Sequence, residues 1–175
     1  MKNMLFILGQ LTDQDADWLA RAGSQIELQE GARLIEYAHA TESVYVVLEG
    51  QFAVLREGRR LGTIRSGEMI GEMSFVDESL PSADVVAERR SHLLALPRSV
   101  LQERLNENPG FASRFYRAIA MMLSHRVREK EVDHAQAPRP DGVLEPDELD
   151  PGVLDTLSRA GDRFDGLLKR LRAGR

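Results

Sequence analysis

Gly71-Glu72-Met73-Ser74-Phe75-Val76-Asp77-Glu78-Ser79-Leu80-Pro81-Ser82-Ala83-Asp84-Val85 decides how the rest of the chain is read. It holds a glycine, a carboxylate, a short helix-compatible run, an acidic turn, a proline and the start of a strand. Before it the chain reads as strands and hairpins. After it, within about one strand pair, the pattern turns helical. A strand–turn–helix–turn–strand unit of this kind can cradle a small anion, because amides at the start of a helix lack partners within it.

Working backwards, residues 24–65 carry the two-residue period of strands. Ile26 and Leu28 alternate with polar neighbours, and Leu34, Ile35 and Tyr37 do so less cleanly. Val44-Tyr45-Val46-Val47-Leu48 is rich in β-branched residues and turns at Glu49-Gly50. Phe52-Ala53-Val54-Leu55 then turns at Glu57-Gly58 into Leu61-Gly62-Thr63-Ile64. Short strands separated by glycine turns indicate a sandwich or jelly-roll barrel. Residues 1–23 read as a helical lid: Thr12 and Asp15 form a capping box, Trp18 and Leu19 mark the buried side, and Gly23 is the stop.

Working forwards, 84–87 and 91–96 read as the last two strands, ended by Pro97. Val100, Leu101 and Leu105 carry a short helix that stops at Asn108-Pro109. A long helix follows to about His134, with Phe111, Phe115, Ile119, Met122 and Val127 along one stripe and Ala118 on another. Between Phe115 and Leu123 most of its circumference is apolar, so it must be covered on more than one side. Residues 135–150 read as an acidic linker and 151–175 as an amphipathic helix. Its stripe is Val153, Leu157, Phe164, Leu167 and Leu171.

On these residues the chain resembles the cyclic nucleotide-binding domains of catabolite activator regulators and of the regulatory subunits of cyclic-nucleotide-dependent kinases. Gly71-Glu72-Met73-Ser74, then Pro81, Ala83 and Val85, are similar to that family's phosphate-binding cassette, and Gly50 to the glycine after its third strand. The resemblance runs from about Leu11 to Glu129. It implies a mainly β fold with flanking α: a jelly-roll barrel over 24–134 with an N-terminal helix and a long C-terminal helix, followed here by an extra amphipathic helix. It also implies a non-enzymatic regulatory role, cyclic AMP or cyclic GMP as ligand, and dimerisation through the long helix at Phe111, Phe115, Ala118, Ile119 and Met122. The ligand would meet Gly71, Glu72, Met73, Ser74, Ser82, Ala83 and Asp84. In the family the glutamate takes a ribose hydroxyl, an arginine pairs with the phosphate, and backbone amides complete the cradle.

The cassette departs from the family in its second half. Ser82 stands where the resemblance places the arginine, and Asp84 where it places a serine or threonine. A charged hydrogen bond contributes on the order of 1.5–3 kcal/mol, so a neutral hydroxyl is a weak substitute. A carboxylate at Asp84 would repel a phosphate. The sugar side of the site reads as kept and the phosphate side as dismantled, although Glu72 could instead anchor the loop by accepting backbone N–H groups.

Composition narrows the functional classes. The 175 residues suit one domain with an appendage. Net charge is −5, from 23 basic and 28 acidic residues, which argues against a phosphate-neutralising nucleic-acid surface. The segment after 134 lacks the pattern of a winged helix-turn-helix, so direct DNA binding is not expected. With no cysteine the simplest setting is cytoplasmic, and no run has membrane-spanning length. His39, His92, His125 and His134 lack metal-ligand spacing, and no serine has a nucleophile-elbow context, so neither a metal nor a catalytic residue is expected. The leading readings are a sensor whose ligand shifts the long helix and a ligand-independent dimeric scaffold; a transcription factor remains only if a partner supplies the DNA contacts. The C-terminal helix would dock on its own barrel, on its dimer mate, or on a different protein partner.

Overall fold

The computed structural model describes residues 9–134 and 161–171. The linker 135–150, Val153 and Leu157 lie outside the described residues. Eight strands form two four-stranded antiparallel sheets, in the orders β1-β8-β3-β6 and β2-β7-β4-β5. The strands are β1 (Ser24–Leu28), β2 (Arg33–Ile35), β3 (Ser43–Glu49), β4 (Gln51–Arg56), β5 (Arg59–Arg65), β6 (Met69–Ile70), β7 (Asp84–Ala87) and β8 (Ser91–Pro97). The helices are α1 (Asp13–Ala22), α2 (Glu72–Asp77), α3 (Arg98–Glu107) and α4 (Pro109–His134), with α5 over 161–171.

Local chemistry explains the boundaries. Thr12 is extended, breaks the helical path, and caps α1. Its N–H donates to Asp15 Oδ2 at 2.8 Å and its hydroxyl accepts from the Asp15 N–H at 3.2 Å, completing the capping box. Gly23 ends α1 in an extended conformation rather than the left-handed one. Its lack of a Cβ matters for space, since one would sit 2.6 Å from Leu94 Cδ1. At Gly50, between β3 and β4, φ is +127° and a Cβ would lie 2.0 Å from Ser91 Oγ. The β4–β5 hairpin turns on Glu57 and Gly58, both with positive φ, which matches the right-handed twist of the strands it joins. Asn108 ends α3, and its side-chain oxygen accepts from the Phe111 N–H at 2.8 Å, capping the start of α4.

Strand alternation sorts the apolar residues into two cores. Val47, Ile70 and Leu93 pack with Ile35, Phe52, Ile64, Val85 and Ala87 in an inner core. Val44, Val46, Leu48, Leu94 and Leu96 belong to an outer core with Leu19, Leu101, Leu105 and α4. Phe111, Phe115, Ala118, Ile119 and Met122 are all buried there within their own chain. Leu167 and Leu171 of α5 join the same cluster, and Phe164 packs against it. The dimer stripe expected from sequence is therefore already covered, because the chain's own sheet and α5 supply the apolar surface it needs. Val127, placed on the same stripe, is 57 % exposed.

Polar contacts tie these helices together. Arg114 of α4 forks onto buried Asp15 at 2.7 and 3.0 Å. Burial alone would raise the pKa of Asp15, but the Arg114 and Thr12 hydrogen bonds and the guanidinium charge hold it below its ordinary value. Arg163 of α5 donates to Asp13 at 2.7 Å, Arg170 pairs with Asp17, and Gln25 Nε2 donates to the Leu171 carbonyl at 2.8 Å.

Candidate functional site: the cassette cavity

β6 delivers the chain to Gly71, whose φ of 86° and ψ of 2° lie in the left-handed region. A Cβ there would approach the Ser43 carbonyl oxygen to 3.2 Å, so glycine answers both a backbone and a spatial demand. α2 follows at once, with the Phe75 N–H donating to the Gly71 carbonyl at 3.1 Å. Glu78, also left-handed with φ of 58°, ends the helix. The Asp77 carboxylate accepts from the Ser79 N–H at 3.0 Å and turns the chain towards β7.

This path folds the cassette around a cavity of about 120 Å³. Gly71, Glu72, Met73 and Ser74 line one side, and Pro81, Ser82 and Ala83 the other. Its wall is apolar: Ile35, Val54, Ile64, Ile70 and Val85, drawn from both sheets. Glu72 and Ser74 are buried, whereas Met73 is half exposed and Ser82 exposed. Six of the seven residues expected from sequence to meet a ligand thus converge on one cavity.

Asp84 is the exception. It does not line the cavity. β7 turns Val85 and Ala87 into the inner core and Asp84 to the opposite face. Its Oδ1 accepts from the Tyr37 N–H at 2.8 Å and lies 3.9 Å from Arg33 Nη1.

Three residues around the cassette escaped the sequence reading. Arg56, at the end of β4, donates through Nη1 to the Ser82 carbonyl at 3.0 Å and through Nη2 to the Tyr37 hydroxyl at 3.1 Å. Its guanidinium carbon lies 4.3 Å from the centre of the Tyr37 ring. Arg98, at the start of α3, donates through Nη2 to the Ser74 carbonyl at 2.7 Å. The alternation of Phe52, Val54 and Arg56 was the available signal for the first of these. No local pattern pointed to Arg98, and Tyr37, read with Leu34 and Ile35 as strand, lies in a turn after β2.

The cassette also touches the long helix. Phe75 of α2 belongs to the outer core and meets Phe115 of α4 edge-on, with ring centroids 6.3 Å apart at 88°. Among the described residues no three His, Cys, Asp or Glu side chains gather as a metal site, and no helix is long and apolar enough to cross a membrane.

Residues 25–108 match the family described as cyclic nucleotide-binding domain. The chain is 30% identical over 95 residues to the cGMP-dependent protein kinase egl-4 of Caenorhabditis briggsae, which covers 54% of this chain and 13% of that kinase. Against the N-terminal domain of a transcriptional regulator from Streptomyces coelicolor A3(2), the TM-score is 0.59 at 27% identity. That match covers 81% of this chain and all of the other. A cyclic nucleotide-binding domain from Methylobacillus flagellatus KT superposes with a TM-score of 0.68 at 19% identity, covering 82% and 86% of the two chains. The chain thus spans about an eighth of the kinase and nearly the full length of the solved domains.

Proposed function

Through residues 25–108 the chain belongs to the cyclic nucleotide-binding domain family, and on that premise we propose that it is a sensor module whose cassette takes a cyclic nucleotide and reports it to α4. The observation that carries this reading is the convergence of Gly71, Glu72, Ser74, Pro81, Ser82 and Ala83 on one apolar-walled cavity. An apolar wall with a few convergent polar groups is what a small ligand needs for affinity and orientation. Glu72 serves as acceptor for sugar hydroxyls. The base lies against Ile35, Val54, Ile64 and Val85. The position read as the family's arginine is Ser82, so the cassette loop itself brings no cation to the phosphate.

The route to α4 is short. A ligand that draws α2 inwards moves Phe75 against Phe115, and moves the Ser74 carbonyl against Arg98 at the head of α3. A shift of α4 follows only if the ligand binds its two placements with different affinity. Homodimerisation enters this reading through the outer face of α4, where Tyr116 and Val127 are exposed, since the stripe from Phe111 to Met122 is engaged within the chain. α5 then acts as an internal cover, and recruitment of a protein partner would require its release.

A second reading is a ligand-independent scaffold. Two points favour it: the cavity of about 120 Å³ is small beside the several hundred Å³ usual for ligand pockets, and Ser82 stands where the resemblance places an arginine. Calorimetric titration of the full chain with cyclic AMP and cyclic GMP separates the two. The sensor reading expects saturable binding that is lost in Glu72→Ala, with the variant still folded by its melting curve. Absence of binding for both nucleotides leaves the scaffold.

A further inference from the structure

We propose that Arg56 supplies, from β4, the cation that meets the phosphate of a cyclic nucleotide in the cassette cavity. The inference rests on the sensor reading and deepens it by naming the charge that the cassette loop lacks at Ser82.

Strand geometry brings Arg56 to the right place. β4 pairs in register with β7 from Phe52 to Leu55, and the register shift of its ladder with β5 skips Leu61 on β5, so β4 itself has no extra residue before Arg56. Phe52 faces the inner core, and Val54 on the same side lines the cavity. Arg56 continues that face by one more step, next to the lining residues rather than among them. There its Nη1 holds the carbonyl of Ser82, itself a lining residue, at 3.0 Å.

The guanidinium is held in position but its charge is not spent. Its hydrogen bonds go to two neutral acceptors, the Ser82 carbonyl and the Tyr37 hydroxyl. The Tyr37 ring lies under it, an arrangement that orients a cation without neutralising it. The carboxylate paired with it is that of Glu57, which is 84% exposed and 3.9 Å from Nε. Asp84, the nearby acid on β7, is turned to the Tyr37 N–H and towards Arg33. A guanidinium has five N–H donors, so two bonds to the protein leave donors for phosphate oxygens.

The support around Arg56 is tied to the cassette loop as well. The Ala38 N–H donates to the Pro81 carbonyl at 2.9 Å, in a turn where Ala38 itself has a φ of 59°. The turn that presents Tyr37 and the loop that closes the cavity are thus joined at Pro81 and Ser82. A ligand that orders residues 81–83 would order the arginine's platform in the same event.

The test uses the full chain and reads the affinities of cyclic AMP and cyclic GMP by calorimetry, with melting curves for each variant. Arg56→Gln is expected to weaken binding by about ten- to hundredfold, the range for losing charge-assisted hydrogen bonds. Arg56→Lys keeps the charge and the aliphatic stem and is expected to retain part of the affinity. Arg56→Gln with Ser82→Arg returns a guanidinium to the loop and is expected to regain at least about tenfold over Arg56→Gln. Wild-type binding should also fall more steeply with salt than that of Arg56→Gln. If the wild type binds and Arg56→Gln binds within about threefold of it, the role of Arg56 is overturned while the sensor reading stands. A loss in Arg56→Lys as deep as in Arg56→Gln, both folded, overturns the electrostatic role. A wild type that binds neither nucleotide overturns both proposals.

Discussion

The two faces of the sheet β1-β8-β3-β6 are covered in different ways. The inner face meets a second sheet whose strands lie close to it in sequence, and the packing stops short of closure, leaving the cassette cavity. The outer face is covered by α1, α3, α4 and α5, which bring residues as distant as Leu19 and Leu171 into one cluster. The inner core therefore shapes a site, and the outer core holds the elements that can respond to it. Phe75 belongs to the cassette by sequence and to the outer core by packing, which makes it the join between them.

Phe115→Ala should break the outer core most severely. The ring is 1% exposed and packs against Phe75, Phe111 and Tyr116. A loss of about 3–5 kcal/mol is expected, the range for a buried phenylalanine that leaves a cavity, measured by urea unfolding. A loss below about 1 kcal/mol would mean that the outer core closes without it. Leu167→Ala probes the same core from α5, where Leu167 is 1% exposed. About 2–4 kcal/mol is expected, with faster hydrogen exchange confined to 161–171 if α5 detaches as a unit. Uniformly faster exchange across α4 as well would show that α5 is integral to the core rather than a removable cover.

Much of this division was legible in the residues. The β-branched run from Val44 to Leu48, the glycine turns and the Thr12–Asp15 box depend on neighbours a few positions apart, and all three appear in the fold. The convergence of Gly71–Ser74 with Pro81–Ala83 was also readable, because one short helix bridges the two segments. What covers α4 was not: periodicity states that a stripe needs a cover, without saying which surface provides it. The side taken by Asp84 depends on the register of β7 with β4, which is a tertiary matter. Arg56 reaches its partner 26 positions away, and Tyr37, which continued the strand pattern of Leu34 and Ile35 in sequence, sits in a turn.

Asp15→Ala tests whether the outer core depends on polar as well as apolar contact. The substitution removes the capping acceptor of α1 and strands Arg114, whose side chain is one-third exposed and can recover water. That tempers the cost of a broken buried pair to about 2 kcal/mol. Because the folded-state pKa of Asp15 is lowered, its contribution is present above the unfolded value of about 3.9 and fades as pH falls through the folded one. The stability difference between wild type and variant should therefore narrow below about pH 4. A difference that stays constant to pH 2 would place the effect in packing rather than in charge.

Gly71→Ala has the smallest expected effect and separates the two cores most cleanly. Alanine at a φ of 86° is strained, and its Cβ would press on the Ser43 carbonyl at 3.2 Å. The cost is about 1–2 kcal/mol if the chain holds its conformation, and less if the cassette relaxes. Trp18, the protein's single tryptophan, reports on the outer core through Phe111, 5.3 Å away between ring centroids. If the strain stays within the cassette, the melting temperature drops while native-state tryptophan emission does not change. A shift in that emission would mean that moving α2 disturbs Phe75, Phe115 and Phe111 in turn. The two cores would then be one mechanical unit, and the cassette would reach α4 even with no ligand bound.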